Sequence, residues 1–478
     1  MNKATALPAD APKPIAPPPK IKQEGGSLYE KRRKIHIRAV TGLFNNLRWW
    51  MVLFTQLLFY GLPWADWNGR QAVLFHLVER KFYLFGMVLW PQDVIYLAVL
   101  LIISAYGLFL VTAVAGRVFC GYACPQTVYT EIFMWIERKV EGERPARIKL
   151  DQAPWSARKA RLRTTKYALW SVVALWTGFT FVGYFSPIRE MIVSLVPWNL
   201  GPWETFWLFF YAGFTLLMAG FMREQVCKYM CPYARFQSVM FDSNTMIVTY
   251  DAERGEPRGS RPKGADAKAR GLGSCVDCNI CVQVCPTGID IRQGLQYECI
   301  GCAACIDGCD EVMDKVGQPR GLIRYSTENA MRDHLSRRDM FAHVLRPRIL
   351  LYTGILVLIV AAAAWSMAVR LPFKVDVMRD RATLAREVED GAIENVYALQ
   401  IMNTDEQPHR YRLAVTGLPG AVIAGEEQID VAASASQKLT VAVRVPEADR
   451  GTHPISFEIH DADAPATRVV EKTTFLMP

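Results

Sequence analysis

The chain of 478 residues has no cysteine before Cys120 and none after Cys309. All twelve lie between those positions, in sets with metal-ligand spacing. This excludes a disulfide-stapled secreted fold and places the cysteine-bearing part toward a reducing compartment. Histidine is scarce, with seven in all. His409, His453 and His460 share no ligand spacing, so they read as surface or strand residues rather than a metal site. The first 30 residues lack the apolar core of a cleaved signal peptide. They carry Pro8, Pro12, Pro14 and Pro17-Pro18-Pro19 and read as a disordered, partly polyproline tail. Charge is absent from long runs, and Val94–Ala115 carries none over 22 residues.

Hydrophobic residues make up 51% of the chain, which points to membrane segments. Five stretches approach the roughly 20 apolar residues a bilayer requires. They are about Leu47–Trp64, Val94–Ala115, Tyr167–Phe185, Trp203–Met222 and Ile349–Val369. Trp49, Trp50, Trp64, Trp170, Trp198 and Trp203 mark their ends as an aromatic belt. The shorter run Phe82–Trp90 is too brief to span and is expected at the interface. The loop Arg138–Lys166 holds ten Lys and Arg, Ala65–Asp93 holds three, and Pro187–Thr205 holds one. By the positive-inside rule the N-terminus is cytoplasmic and residues after Val369 lie outside. The basic patch Lys31-Arg32-Arg33-Lys34 stands just before a hydrophobic segment, so it reads as a juxtamembrane anchor to the lipid bilayer rather than a nucleic-acid site.

Cys275-x-x-Cys278-x-x-Cys281-x-x-x-Cys285-Pro286 is followed by Cys299-x-x-Cys302-x-x-Cys305-x-x-x-Cys309-Asp310. This is the tandem ligand spacing of a bacterial ferredoxin with two [4Fe–4S] clusters, in which the fourth thiolate of each cluster comes from the other motif. One cluster is thus assigned to Cys275, Cys278, Cys281 and Cys309, and the other to Cys299, Cys302, Cys305 and Cys285. A zinc site built from two C-x-x-C knuckles has no use for the third and fourth cysteine of each run. Asp310 departs from the pattern, which has Pro there. Residues 251–274 read as a flexible basic linker to this insert, and Tyr325–Arg346 as a polar helix leading to the last span.

The other four cysteines form two matching C-x-x-x-C-P units, Cys120/Cys124-Pro125 and Cys227/Cys231-Pro232. Each follows the end of a span and precedes an amphipathic stretch, Gln126–Val140 and Tyr233–Phe241. Cysteines at i and i+4 share a helix face. Pro125 and Pro232 suit the first position of the next helix, which puts Cys124 and Cys231 at helix N-termini, where a lowered thiol pKa is expected. Facing each other, the pairs would make a four-thiolate site, which favours Cu(I), zinc or iron–sulfur. A structural repeat with inert cysteines is the alternative. Beyond Arg370, alternating strands at Val396–Ile401, Tyr411–Val415, Gln428–Val431, Lys438–Val443, Ile455–Ile459 and Arg468–Phe475 predict an immunoglobulin-like sandwich.

The ferredoxin loops, the doubled C-x-x-x-C-P and the terminal sandwich together resemble the cytochrome c oxidase accessory family known as CcoG, FixG or RdxA. The C-x-x-x-C-P pair also resembles membrane quinol dehydrogenase components of the NapH type. The resemblance implies a multi-domain protein of the bacterial inner membrane. Its parts would be a tail and basic segment (1–46), a four-helix region with both repeats (47–250), a linker (251–274), a cytoplasmic ferredoxin domain (275–348), a fifth transmembrane helix (349–369) and a periplasmic Ig-like domain (370–478). It implies reduction of Cu(II) to Cu(I) for assembly of cbb3-type cytochrome c oxidase. On that analogy Cys120, Cys124, Cys227 and Cys231 bind or reduce copper. A cytosolic electron donor, and oxidase subunits or copper chaperones, are the implied partners, and a homodimer is left open. A quinol or quinone oxidoreductase module and a non-enzymatic assembly scaffold are the competing functions.

Overall fold

The computed structural model describes residues 34–262, 268–380, 385–388, 391–446, 449–464 and 466–478. The proline-rich tail expected over residues 1–30 lies outside the described residues.

Helices form at all five apolar stretches: Leu43–Gly61, Val94–Ala115, Ala157–Val182, Pro202–Thr215 continued by a π-helical Leu216–Met222, and Pro347–Ala368. Three of these are long and apolar enough to cross a membrane: Pro91–Ala115, Pro202–Met222 and Pro347–Ala368. Three of the five expected spans thus meet the length and composition of a membrane crossing. The other two helices carry polar residues. Leu43–Gly61 includes Arg48, buried in an ion pair with Glu131 at 2.8 Å. Ala157–Val182 opens on Arg158, Lys159, Arg161, Arg163 and Lys166. That helix packs directly on Pro202–Thr215: a Cβ at Gly178 would stand 2.4 Å from the Leu208 carbonyl oxygen, so only glycine permits the approach.

The first loop folds into a small sheet. Val73–His76, Lys81–Leu84 and Met87–Leu89 form an antiparallel three-stranded meander. The run Phe82–Trp90 is broken at Phe85-Gly86, where Phe85 takes φ 53°, so it folds back on itself instead of lying flat. Val88 and Trp90 then bury against Met402 of the C-terminal domain. Asp93, 3% exposed, accepts hydrogen bonds from the Trp90 amide at 3.0 Å, Arg370 at 2.6 Å and Lys374 at 2.5 Å. One carboxylate thus ties the start of the second helix to the exit of the last. Asp93→Ala strands two cations that are only partly solvated. A loss of about 1–3 kcal/mol is expected, read as a lowered unfolding temperature in detergent. An unchanged temperature would show the clamp to be idle.

The C-terminal domain is a sandwich of two antiparallel sheets. One orders Val422–Ala424, Ser436–Val445, Ile393–Asn403 and Phe373–Arg379, with Arg386–Glu387 paired at its side. The other orders Gln428–Val431, His409–Thr416, Gly451–Asp461 and Arg468–Met477. All six expected strands form. Val441, Val443 and Val445 face Ile455, Phe457 and Ile459 in one core, as period-two alternation requires. Phe373–Arg379, Arg386–Glu387 and Val422–Ala424 go beyond the six.

The ferredoxin module begins before the expected 275. Ile247–Tyr250 pairs antiparallel with Ile323–Ser326. The described part of 251–274 folds back on that strand: Ala252–Gly255 is a helical turn capped by Asp251, and the Ser274 amide donates to the Arg254 carbonyl at 2.8 Å. It is therefore part of the module rather than a free linker. Tyr325–Arg346 is likewise not one helix. Tyr325 belongs to the strand, and Glu328–Arg332 and Arg337–Ala342 are separated at His334, which takes φ 49°.

Candidate functional site

Each ferredoxin loop turns through left-handed residues that point successive cysteines inward. Asp277 and Asn279 have φ 54° and 56° in the first motif, and Gly301 and Ala303 have 66° and 59° in the second. Asn279 and Ala303 immediately precede the helices Ile280–Gln283 and Ala304–Lys315. Asp310 lies inside the second of these helices. Proline there would remove an intrahelical hydrogen bond, and the helix instead runs six residues past Cys309. This accounts for the departure at that position.

The two motifs close around two cavities. One is lined by Cys275, Cys278, Cys281 and Cys309 together with Arg292. The second is lined by Cys285, Cys299, Cys302 and Cys305, and Cys281 borders it as well. These are the two sets reached by exchanging the fourth cysteine. All twelve cysteines are free thiols. Among the described residues no group of three or more His, Cys, Asp or Glu side chains is gathered to hold a single metal ion. Four thiols spaced around a chamber fit a cluster and do not fit a tetrahedral zinc. Burial pushes the Cys281 thiol up to about 11, and Cys299 and Cys309 to about 12. Cys302 and Cys305 are raised for the same reason. Loading the loops therefore releases protons. The chambers differ in access: Cys278 is exposed, whereas Cys302 is buried.

Both C-x-x-x-C-P units have the same build. Cys120 lies in the helix Val118–Tyr122, and Cys124 caps Pro125–Glu141. Cys227 lies in the π-helical turn Val226–Met230, and Cys231 caps Pro232–Met240. The helix-face expectation needs correction. Cys124 and Cys231 are extended, with ψ 126° and 110°, because a following proline disfavours helical backbone. Each pair straddles a helix break instead of sharing one face. The thiol expectation reverses at Cys124, which burial raises. Burial also pushes Cys120 up to about 11 and Cys227 up to about 12. Desolvation outweighs the helix-end amides of Gln126 and Thr127 at Cys124, and Arg117 at Cys120. The structure does bring the two repeats together: Cys227 lies within electrostatic reach of Cys120, Cys124 and Cys231.

The paired thiols abut the second chamber. A Cβ at Gly121 would stand 2.8 Å from the Cys302 Cα, 2.9 Å from its amide nitrogen and 2.9 Å from the Ile300 carbonyl oxygen. Cys120 and Cys227 pack on a buried cluster that contains Cys302, with Cys305 beside them. The Tyr122 hydroxyl donates to the Cys302 carbonyl at 3.4 Å. Buried Arg117 donates to the carbonyls of Tyr297, Cys299 and Ala234, joining the end of one helix, the second loop and the other repeat. Asp307, between two cluster cysteines, accepts from the amides of Phe44 at 3.3 Å and Asn45 at 2.7 Å. It caps the first helix from outside, as an anion should at a helix N-terminus. Gly121, Arg117 and Asp307 were not singled out in the sequence. The one local signal is that Gly121 and Asp307 stand inside the cysteine motifs themselves.

The family described as "4Fe-4S dicluster domain" matches residues 222–328, and one described as "4Fe-4S binding domain" matches 97–142. A third, described as "IG-like fold at C-terminal of FixG", matches 363–478. The chain is 39% identical to nitrogen fixation protein FixG of Rhizobium meliloti, over 83% of this chain and 82% of that one. It is 39% identical to protein RdxA of Cereibacter sphaeroides, over 86% and 88%. A more distant relative is ferredoxin-type protein NapH of Haemophilus influenzae, at 24% over 45% and 68%.

Proposed function

Because the chain belongs to the FixG family of membrane iron–sulfur electron-transfer proteins, we propose that it delivers single electrons from a cytosolic donor to the thiols Cys120, Cys124, Cys227 and Cys231. There Cu(II) is the substrate, and each ion gains one electron to become Cu(I), for use in assembling a cbb3-type oxidase. Two [4Fe–4S] clusters bound by the eight ferredoxin cysteines would supply low-potential, one-electron transfer. The chain's own residues do the rest. Gly121 lets the first repeat meet the Cys302 loop at backbone contact, and Arg117 and Tyr122 hold that joint. Cys120, Cys124 and Cys227, held protonated by burial when free, exchange protons for a soft cation. The contact at Gly121 is the observation that carries this assignment.

The membrane arrangement belongs to the same proposal: five spans in the inner membrane, with the N-terminus and ferredoxin module cytoplasmic and the sandwich periplasmic. Loop charge supports it. So does the packing of the 66–89 strands on the sandwich, at the end of the helices away from the Asp307 cap.

The test is Cys124→Ser with Cys231→Ser in protein purified without oxygen. Cu(II) reduction should fall to background while iron stays near eight atoms per chain, four per cluster. Unchanged reduction would reject the copper assignment. A second reading, resting on the resemblance of the C-x-x-x-C-P pair to quinol dehydrogenase components, has a quinone as electron partner. Quinone-dependent redox change without any effect of copper would select it.

A further inference from the structure

A partly open cleft lies where the first helix, the Pro125–Glu141 helix and both ferredoxin motifs meet. It takes no part in the proposed electron route. Arg38, Arg48, Arg138 and Arg147 line it, against one carboxylate, Glu131. Two of these arginines are deeply buried, Arg48 at 7% and Arg147 at 4% exposure. Arg48 pairs with Glu131 at 2.8 Å, and Arg147 with Glu137 at 3.6 Å and with the Ile37 carbonyl. Even so, the buried Nε–H of each has no acceptor. Among the described residues Arg38 and Arg138 form no ion pair. Burying cationic donors without acceptors is costly, so the chamber is built for an anion. Trp135, on the same wall and 42% exposed, adds an amphipathic face of the kind found at a membrane surface.

We propose that this chamber binds a phosphate-bearing anion and thereby fastens the ferredoxin module to the membrane helices. Its two sources are the headgroup of an anionic phospholipid and free inorganic phosphate. Basic pockets between helices at a membrane face recognise such headgroups, and arginine forks suit phosphate oxygens. The partly exposed arginines are the ones to change, since they leave the buried pairs in place.

The experiment compares full-length protein with its Arg38→Gln, Arg138→Gln double variant. In vesicles of phosphatidylcholine with graded phosphatidylglycerol, retained lipid is counted by native mass spectrometry. In detergent alone, inorganic phosphate is titrated while the unfolding temperature is followed. Retention of phosphatidylglycerol over phosphatidylcholine, reduced roughly tenfold in the variant, supports the headgroup. Stabilisation by phosphate in detergent, lost in the variant, supports the free anion. If neutral and anionic lipids are retained alike and phosphate has no effect, or if the variant matches the parent in both arms, the proposal is overturned. Iron content reports separately that the variant is folded.

Discussion

Gly121→Val is expected to separate the paired-cysteine repeat from the second ferredoxin loop. The new Cβ alone would fall 2.8 Å from the Cys302 Cα and 2.9 Å from two further backbone atoms. Backbone cannot swing aside as a flexible side chain can, so the repeat and the loop must move apart. Overpacking of this kind costs about 1–3 kcal/mol. The functional effect should be larger, because a misplacement of about 1 Å at reacting groups can cost on the order of 10²-fold in rate. Anaerobic Cu(II) reduction is therefore expected to fall by that order. Gly121→Ala should give an intermediate value, since it adds only the Cβ. Wild-type iron content together with a wild-type rate in the valine variant would mean that electrons do not cross at this contact.

Glu137→Gln is expected to cost the most stability. Glu137 is 1% exposed, on the helix that follows the first repeat. It faces Arg223 at 2.7 Å, Arg147 at 3.6 Å and Lys166 at 3.8 Å. Burial by itself would raise the carboxyl, but Arg223, Lys166 and Arg147 outweigh it and hold the group at about 2. Removing the charge leaves three cations around a neutral amide, and breaking such a buried set costs about 3–5 kcal/mol. The pH dependence has a definite sign. The folded carboxyl lies below its ordinary value, so it stabilises the protein above about pH 4.5, by on the order of 3 kcal/mol. That contribution is lost as pH falls from there toward 2. The gap in unfolding temperature between parent and variant should therefore be widest at neutral pH and shrink below about pH 4.5. A gap that is absent at pH 7, or that stays constant down to pH 3, would show that Glu137 is not the charged hub of this network.

The two cysteine patterns were legible because metal ligation is a local constraint. C-x-x-C-x-x-C places three thiols by loop geometry alone, and the chambers around Cys275–Cys309 have the lining that exchange of the fourth cysteine requires. The sandwich strands were legible for a similar reason, since alternation at Val441–Val445 and Ile455–Ile459 records which face is buried. Span count was less so. Arg48 and the basic opening of Ala157–Val182 dilute helices whose polar groups are satisfied by partners far along the chain, such as Glu131. The Cys124 thiol departs from expectation because a helix end is visible in sequence, whereas burial is not.

By itself the sequence determined the chemistry this protein carries: eight thiols spaced for two clusters, four more in a repeated C-x-x-x-C-P, apolar helices and a terminal sandwich. Those features depend on spacing and periodicity over a few residues. Only the tertiary structure decided how the parts are joined. Gly121 against Cys302, Asp307 on the first helix, Glu137 among three cations and Asp93 beneath the sandwich each bring together residues from separate segments. No local pattern encodes such a meeting, because the partners become neighbours only when the chain packs.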